Sequence, residues 1–205
     1  MTDLIIAPSI RLRDVFGTDA RACTDRIVAT FNRATPGMIA DGATWYAEGE
    51  ALIDRLAAQH SLTREAVAAV VAHLSPRTTW TRNVEGAVGL LANDHAPHCM
   101  GANVERARAA LASDDPIGTL NGPKTRRFAL NLLGDREAVT VDVWAVRIAL
   151  GPTICERVNP ETGLGRRGVY AAIEHCYRLA GHRLGIDPVT VQATTWIVAR
   201  NGRKG

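Results

Sequence analysis

TLNGPKTRRFALNLLGDREAVTVDVWAVRIALG, Thr119–Gly151, reads as turn, helix, short extended run, helix. Gly122-Pro123 makes a tight turn and leaves proline at a first helical position, where its missing N–H is no loss. The helix that Pro123 opens runs through Leu133, and Gly134 ends it. Ala138–Val141 is the only strand-like run in the chain, and it is too short to build a sheet. Asp142 then stands as the N-cap of a helix over Val143–Leu150. The stretch also holds an oddity of charge. The chain carries 24 Lys plus Arg, yet lysine occurs only at 124 and at 204, one residue from the end, where a charge is usually just solvated.

Outward from this stretch, helical periodicity dominates. Asp19–Phe31 places Ala22, Ile27, Val28 and Phe31 roughly on one face, and Thr35-Pro36-Gly37 breaks it. Thr44–Gln59 sets Leu52, Ile53 and Leu56 at helical spacing. A start signal at Ser61–Thr63 opens Arg64–Leu74, which Pro76 stops. Trp80–Ala92, Val104–Leu111, Val169–Leu184 and Pro188–Arg200 follow, the last with Asp187 as its N-cap. His95–Ala102 and Thr153–Gly168 read as loops. The fold class is therefore all-α, about nine helices joined by short connections around a helical core.

Bulk properties agree. A chain of 205 residues, 46% hydrophobic and 22% charged, can bury a proper core. A net charge of +3 permits nucleic-acid binding without demanding it. Cys23, Cys99, Cys155 and Cys176 are dispersed, form no C-x-x-C, and read as reduced thiols of a cytoplasmic protein. The opening MTDLIIAPSIRLRD, with Asp3 in it, is neither a signal peptide nor a membrane span.

Leu120-Asn121-Gly122-Pro123-Lys124-Thr125, then Val141-Asp142 and Arg147, resembles the signature of the helix-hairpin-helix DNA glycosylase superfamily, the endonuclease III-like enzymes. Their hairpin reads L-P-G-V-G-x-K-T-A and is followed by V-D-T-H-x-x-R. The lysine-to-aspartate separation agrees, Leu130 and Asn131 fall at matching places, and Arg147 matches within one residue. The resemblance covers Arg108–Leu150. It implies a two-lobed all-α fold, with a barrel-like lobe over 41–139 and a second lobe from 1–40 and 140–205. It implies Lys124 as amine nucleophile and Asp142 as catalytic carboxylate. Asn121, Gly122, Thr125, Arg126, Arg127 and Arg147 would meet the DNA backbone. The hairpin here is shorter, and no cysteine follows Cys176, so no iron–sulfur cluster is expected.

The chemistry fits the alignment. Schiff-base attack on a sugar carbon needs a primary amine that can lose its proton, which arginine does not do. Other readings of Lys124 are a phosphate contact or an idle charge. Asp142 can serve as a plain N-cap, as a catalytic carboxylate, or as both.

Two further constellations are candidate pocket walls. In Leu74–Asn83, Trp80 could stack on a base, Asn83 read its edge and Arg77 hold a phosphate; alternatively Trp80 packs in the core and Ser75 or Thr79 caps the next helix. Gln192, Trp196 and Arg200 lie at four-residue spacing, a stripe that either lines a cleft or lies on the surface with Arg200 over Trp196. Trp45-Tyr46 reads chiefly as core. Asp94-His95 with His98-Cys99 lacks the second ligand pair a zinc site draws on, so no metal is expected. His175-Cys176 has no supporting motif, and no Gly-rich phosphate loop follows a strand.

The expected function is that of a DNA glycosylase-superfamily enzyme without cofactor, a monomer acting on a flipped nucleobase or its deoxyribose in DNA. Phage members of the superfamily are implicated in hypermodifying 5-hydroxymethyl pyrimidines, so a base-modifying transferase on the same fold is the first alternative. A non-catalytic helical nucleic-acid-binding module is the second.

Overall fold

The computed structural model describes residues 8–159 and 163–201. Asp3 and Lys204, singled out above, lie outside them. All regular structure among the described residues is helical. The elements are α1 (Pro8–Phe16), α2 (Ala20–Phe31), α3 (Pro36–His60), α4 (Arg64–Leu74), α5 (Trp80–Asn93), α6 (Gly101–Leu111), a 3₁₀ turn (Ile117–Thr119), α7 (Pro123–Leu132), α8 (Val143–Leu150), α9 (Pro152–Cys155), α10 (Val169–Leu184) and α11 (Pro188–Ala199). No helix among the described residues is long and apolar enough to cross a membrane.

Caps explain several helix starts. Asp19 Oδ1 accepts from the Ala22 N–H at 2.9 Å, Thr63 Oγ1 from Ala66 at 3.1 Å and Thr79 Oγ1 from Arg82 at 3.4 Å. Several expectations need correction. Thr35-Pro36-Gly37 does not only end a helix; it starts the next one, because Thr35 Oγ1 accepts from Met38 N–H at 3.3 Å and Pro36 suits a first turn. α3 is therefore longer than its apolar spacing suggests. Asp187 holds the N-cap position of α11, but its side chain makes no capping bond. The short α9, opened by Pro152, runs into the segment Thr153–Gly168 read as loop, and α1 has no counterpart in the sequence reading.

The described helices form two compact units, one from the chain up to Thr44 together with Arg136 onward, the other Trp45–Asp135. The division falls within α3. In the first unit α10 packs on α1, α2 and α11, and α11 also packs on α2 and α8. Leu12, Ile27, Leu150, Ile173, Tyr177 and Ile197 are fully buried there. α11, apolar on nearly every face, is a central helix. In the second unit that place belongs to α4, REAVAAVVAHL, buried continuously from Ala66 to Leu74. Its alanines and valines are small enough for α5, α6 and α7 to pack around it.

Ala138–Val141 is neither helix nor strand among the described residues. Side chains of α10 take the place of a neighbouring strand. The Tyr170 hydroxyl donates to Val139 O at 2.8 Å and accepts from Val141 N–H at 3.0 Å. The Val139 N–H donates to Glu174 Oε1 at 3.2 Å, and buried Glu174 pairs with Arg178 at 3.0 Å. Buried backbone polar groups must find partners, and this network supplies them just before Asp142. Tyr170→Phe removes one hydroxyl and orphans a buried carbonyl and a buried N–H. It is expected to cost about 2 kcal/mol or more and to lower the melting temperature by about 4–8 °C. A melt equal to that of the parent would mean that another group satisfies both.

Candidate functional site

In the second unit the site is built on α7. Gly122 is its N-cap and Pro123 its first residue; no side chain caps the start. Thr125 Oγ1 donates back to Gly122 O at 3.0 Å and closes the first turn. Asn121, Gly122 and Arg126 are exposed, Thr125 and Arg127 half-buried. Lys124 is half-buried, and its amine makes no hydrogen bond or ion pair with the described residues.

Phe128, four positions on, shares the α7 face of Lys124. Its ring belongs to an aromatic cluster. The Trp45 and Trp80 centroids are 5.4 Å apart, each lies 6.3 Å from Phe128, and Tyr46 stands edge-on to Trp45 at 4.7 Å. Trp45 and Trp80 are half-buried, while Tyr46 and Phe128 are buried. An amine without a partner among the described residues thus stands one helical turn from an aromatic wall. Trp80 occupies the first position of α5 with Thr79 as cap, so its structural and surface roles coexist. Asn83, one turn further along α5, is 2% exposed, and its Oδ1 is buried without a hydrogen-bond partner. Arg77 is exposed in a left-handed turn at φ 60°.

The turn before Lys124 is tied to α4 through His73. Its Nε2 lies 2.9 Å from Thr119 Oγ1, whose own proton goes to Pro116 O at 2.6 Å. The imidazole Nε2 is therefore the donor. Burial first, then the Arg106 charge, hold the His73 imidazole below its ordinary value. The unfolded chain takes up this proton more readily, at an ordinary value of about 6.5. The resulting penalty is absent above that pH and grows as the pH falls toward the lowered native value. His73→Gln is expected to flatten the loss of melting temperature between about pH 7 and pH 5. An acid-side slope as steep in the variant as in the parent would assign the loss elsewhere.

In the first unit Asp142 caps α8. Its Oδ1 accepts from Ala145 N–H at 2.8 Å and its Oδ2 from the Trp196 indole N–H at 3.2 Å. The Arg200 guanidinium lies over the Trp196 ring, 4.4 Å from its centroid. Arg200, Trp196 and Asp142 thus form a chain from cation through indole to carboxylate. Gln192, expected on the same stripe, is only 5% exposed, and the stripe is not distinct from a core face as its spacing suggests. The reason is that α11 is enclosed on nearly all sides. Arg147 is exposed and lies over Trp144, 5.1 Å from that ring. Lys124 belongs to one unit and Asp142 to the other.

Phe128 escaped the sequence reading, although its spacing from Lys124 signals it. The pairing of Asp142 with Trp196 carries no local signal at all. Among the described residues no group of three or more His, Cys, Asp or Glu is arranged to hold a metal ion.

DUF7178, a family of unknown function, matches residues 9–203. The chain belongs to the DUF7178 family. No curated protein and no solved structure matches the chain. The match takes in both units of this DUF7178 chain, and with them every site residue named above.

Proposed function

We propose that the chain is a DNA glycosylase-superfamily enzyme that uses the Lys124 amine as a nucleophile on the deoxyribose of a flipped nucleotide. The observation that carries this reading is the half-buried Lys124 amine, without a partner among the described residues, one turn from the Trp45–Trp80–Phe128 cluster. A base taken out of the stack needs a flat surface, and half-buried indoles supply one. The Nζ lone pair attacks C1′ as the base leaves with the glycosidic electron pair and takes up a proton. With one amine proton lost, the nitrogen lone pair expels O4′, which takes up a proton, and the C1′–O4′ bond breaks to leave a Schiff base. Asp142 carries the carboxylate role, stabilising positive charge on the sugar as the base departs. Its bonds to Ala145 and Trp196 support this by fixing its orientation. Arg126, exposed at the start of α7, suits backbone phosphate.

The test is borohydride trapping on duplexes that carry damaged or modified bases. A covalent protein–DNA adduct on one of them is the expected result. Turnover of a 5-hydroxymethyl pyrimidine without an adduct would replace this reading with the transferase. Binding without either would leave a nucleic-acid-binding module.

A further inference from the structure

A second site lies wholly within the first unit, where α2, α8 and α9 line an open cavity of about 480 Å³. That is within the range of about 300–1,000 Å³ usual for small-molecule sites. Three arginines line it, Arg26, Arg33 and Arg147, and no carboxylate among the described residues does. The rest of the lining is largely apolar and includes the flat Trp144 indole with Ile148 and Pro152. Like charges gather without a counter-charge at a cost, which a bound anion would remove.

Arg26 is held ready. One of its terminal nitrogens donates to Thr18 Oγ1 at 3.2 Å and to Ala149 O at 3.1 Å. Gly151, at φ +77°, leaves it room: a Cβ there would stand 3.1 Å from the Arg26 Cδ. Arg33 is exposed, and its guanidinium has no partner among the described residues. Burial pushes the Cys155 thiol up, while Arg147 and Arg26 pull it the other way.

We propose that this cavity binds a phosphate monoester carried on a flat apolar ring, the chemistry of a nucleoside 5′-monophosphate. The planar guanidinium forks match phosphate oxygens, and Trp144 with its apolar neighbours takes the ring. The monoester comes either from a free nucleotide or from the 5′-phosphorylated end of a strand. The site does not rest on the Lys124 reading, since Arg26 and Arg33 play no part in that chemistry and binding here needs no covalent step.

Isothermal titration of the full chain with 2′-deoxyadenosine 5′-monophosphate tests it. Saturable binding of one nucleotide per chain is expected, with deoxyadenosine and inorganic phosphate each about tenfold weaker or more. Arg33→Glu and Arg147→Glu are each expected to weaken the nucleotide about tenfold or more, with unchanged thermal melts. A 5′-phosphorylated single strand that displaces the nucleotide marks a strand end as the source; failure to displace it marks a free nucleotide. No binding at millimolar nucleotide overturns the proposal, as does equal binding by both variants.

Discussion

Lys124→Arg is expected to retain DNA binding and its salt dependence while abolishing every borohydride-trappable adduct. Arginine keeps the positive charge at the start of α7 and discards only the amine that can lose a proton. If Lys124 merely held a phosphate, the substitution would leave activity nearly intact, and only removal of the charge would matter. Lys124→Ala separates the two, because losing one phosphate contact lowers the salt slope by about one unit and weakens binding uniformly across sequences. Lys124 is the only lysine among the described residues, which keeps the adduct assignment simple. An arginine variant that still forms an adduct would remove Lys124 from the mechanism.

Gly42→Val is expected to give the largest loss of stability. Within the first unit α3 meets α11 at Gly42. A Cβ there would stand 2.1 Å from Thr194 Oγ1 and 2.8 Å from both the N and Cα of Thr194. A flexible side chain can move aside; helix backbone cannot without shifting the whole element. Overpacking of this kind costs about 3 kcal/mol or more, a fall in melting temperature of about 6–12 °C. Thr194→Ala in the same background removes the hydroxyl, which is buried and without a partner, but leaves the backbone contact. Only part of the loss should therefore return. Full recovery would show that the hydroxyl alone was the obstacle, and a Gly42→Val chain that melts like the parent would show that α3 does not approach α11 this closely.

Much of the helical framework is local and can be read from the chain. Arg64–Leu74, Val143–Leu150 and Val169–Leu184 begin and end where capping residues, glycine and proline say they should, because each signal acts within one turn. The first half of α3 was not legible. Gly37 and Gly42 depress its helix propensity, and the packing that requires Gly42 comes from Thr194, far along the chain. Ala138–Val141 looked like a strand for a sound local reason. Tyr170 and Glu174 satisfy its backbone instead of another strand.

The candidate site divides in the same way. That a chain writing its positive charge as arginine places lysine after Gly122-Pro123 is a fact of the sequence, as is an aspartate positioned to cap α8. Helical spacing alone sets Phe128 on the Lys124 face. Tertiary structure decided which rings gather around Phe128, since Trp45 and Trp80 arrive from different helices. It also decided that Trp196 donates to Asp142 while Arg200 covers its ring, and that Gln192 is buried rather than displayed. The arginines around the cavity beside Trp144 come together only when α2 packs on α8. Spacing along a helix determines which face a side chain shares; what that face meets depends on segments distant in sequence, whose packing no local pattern encodes.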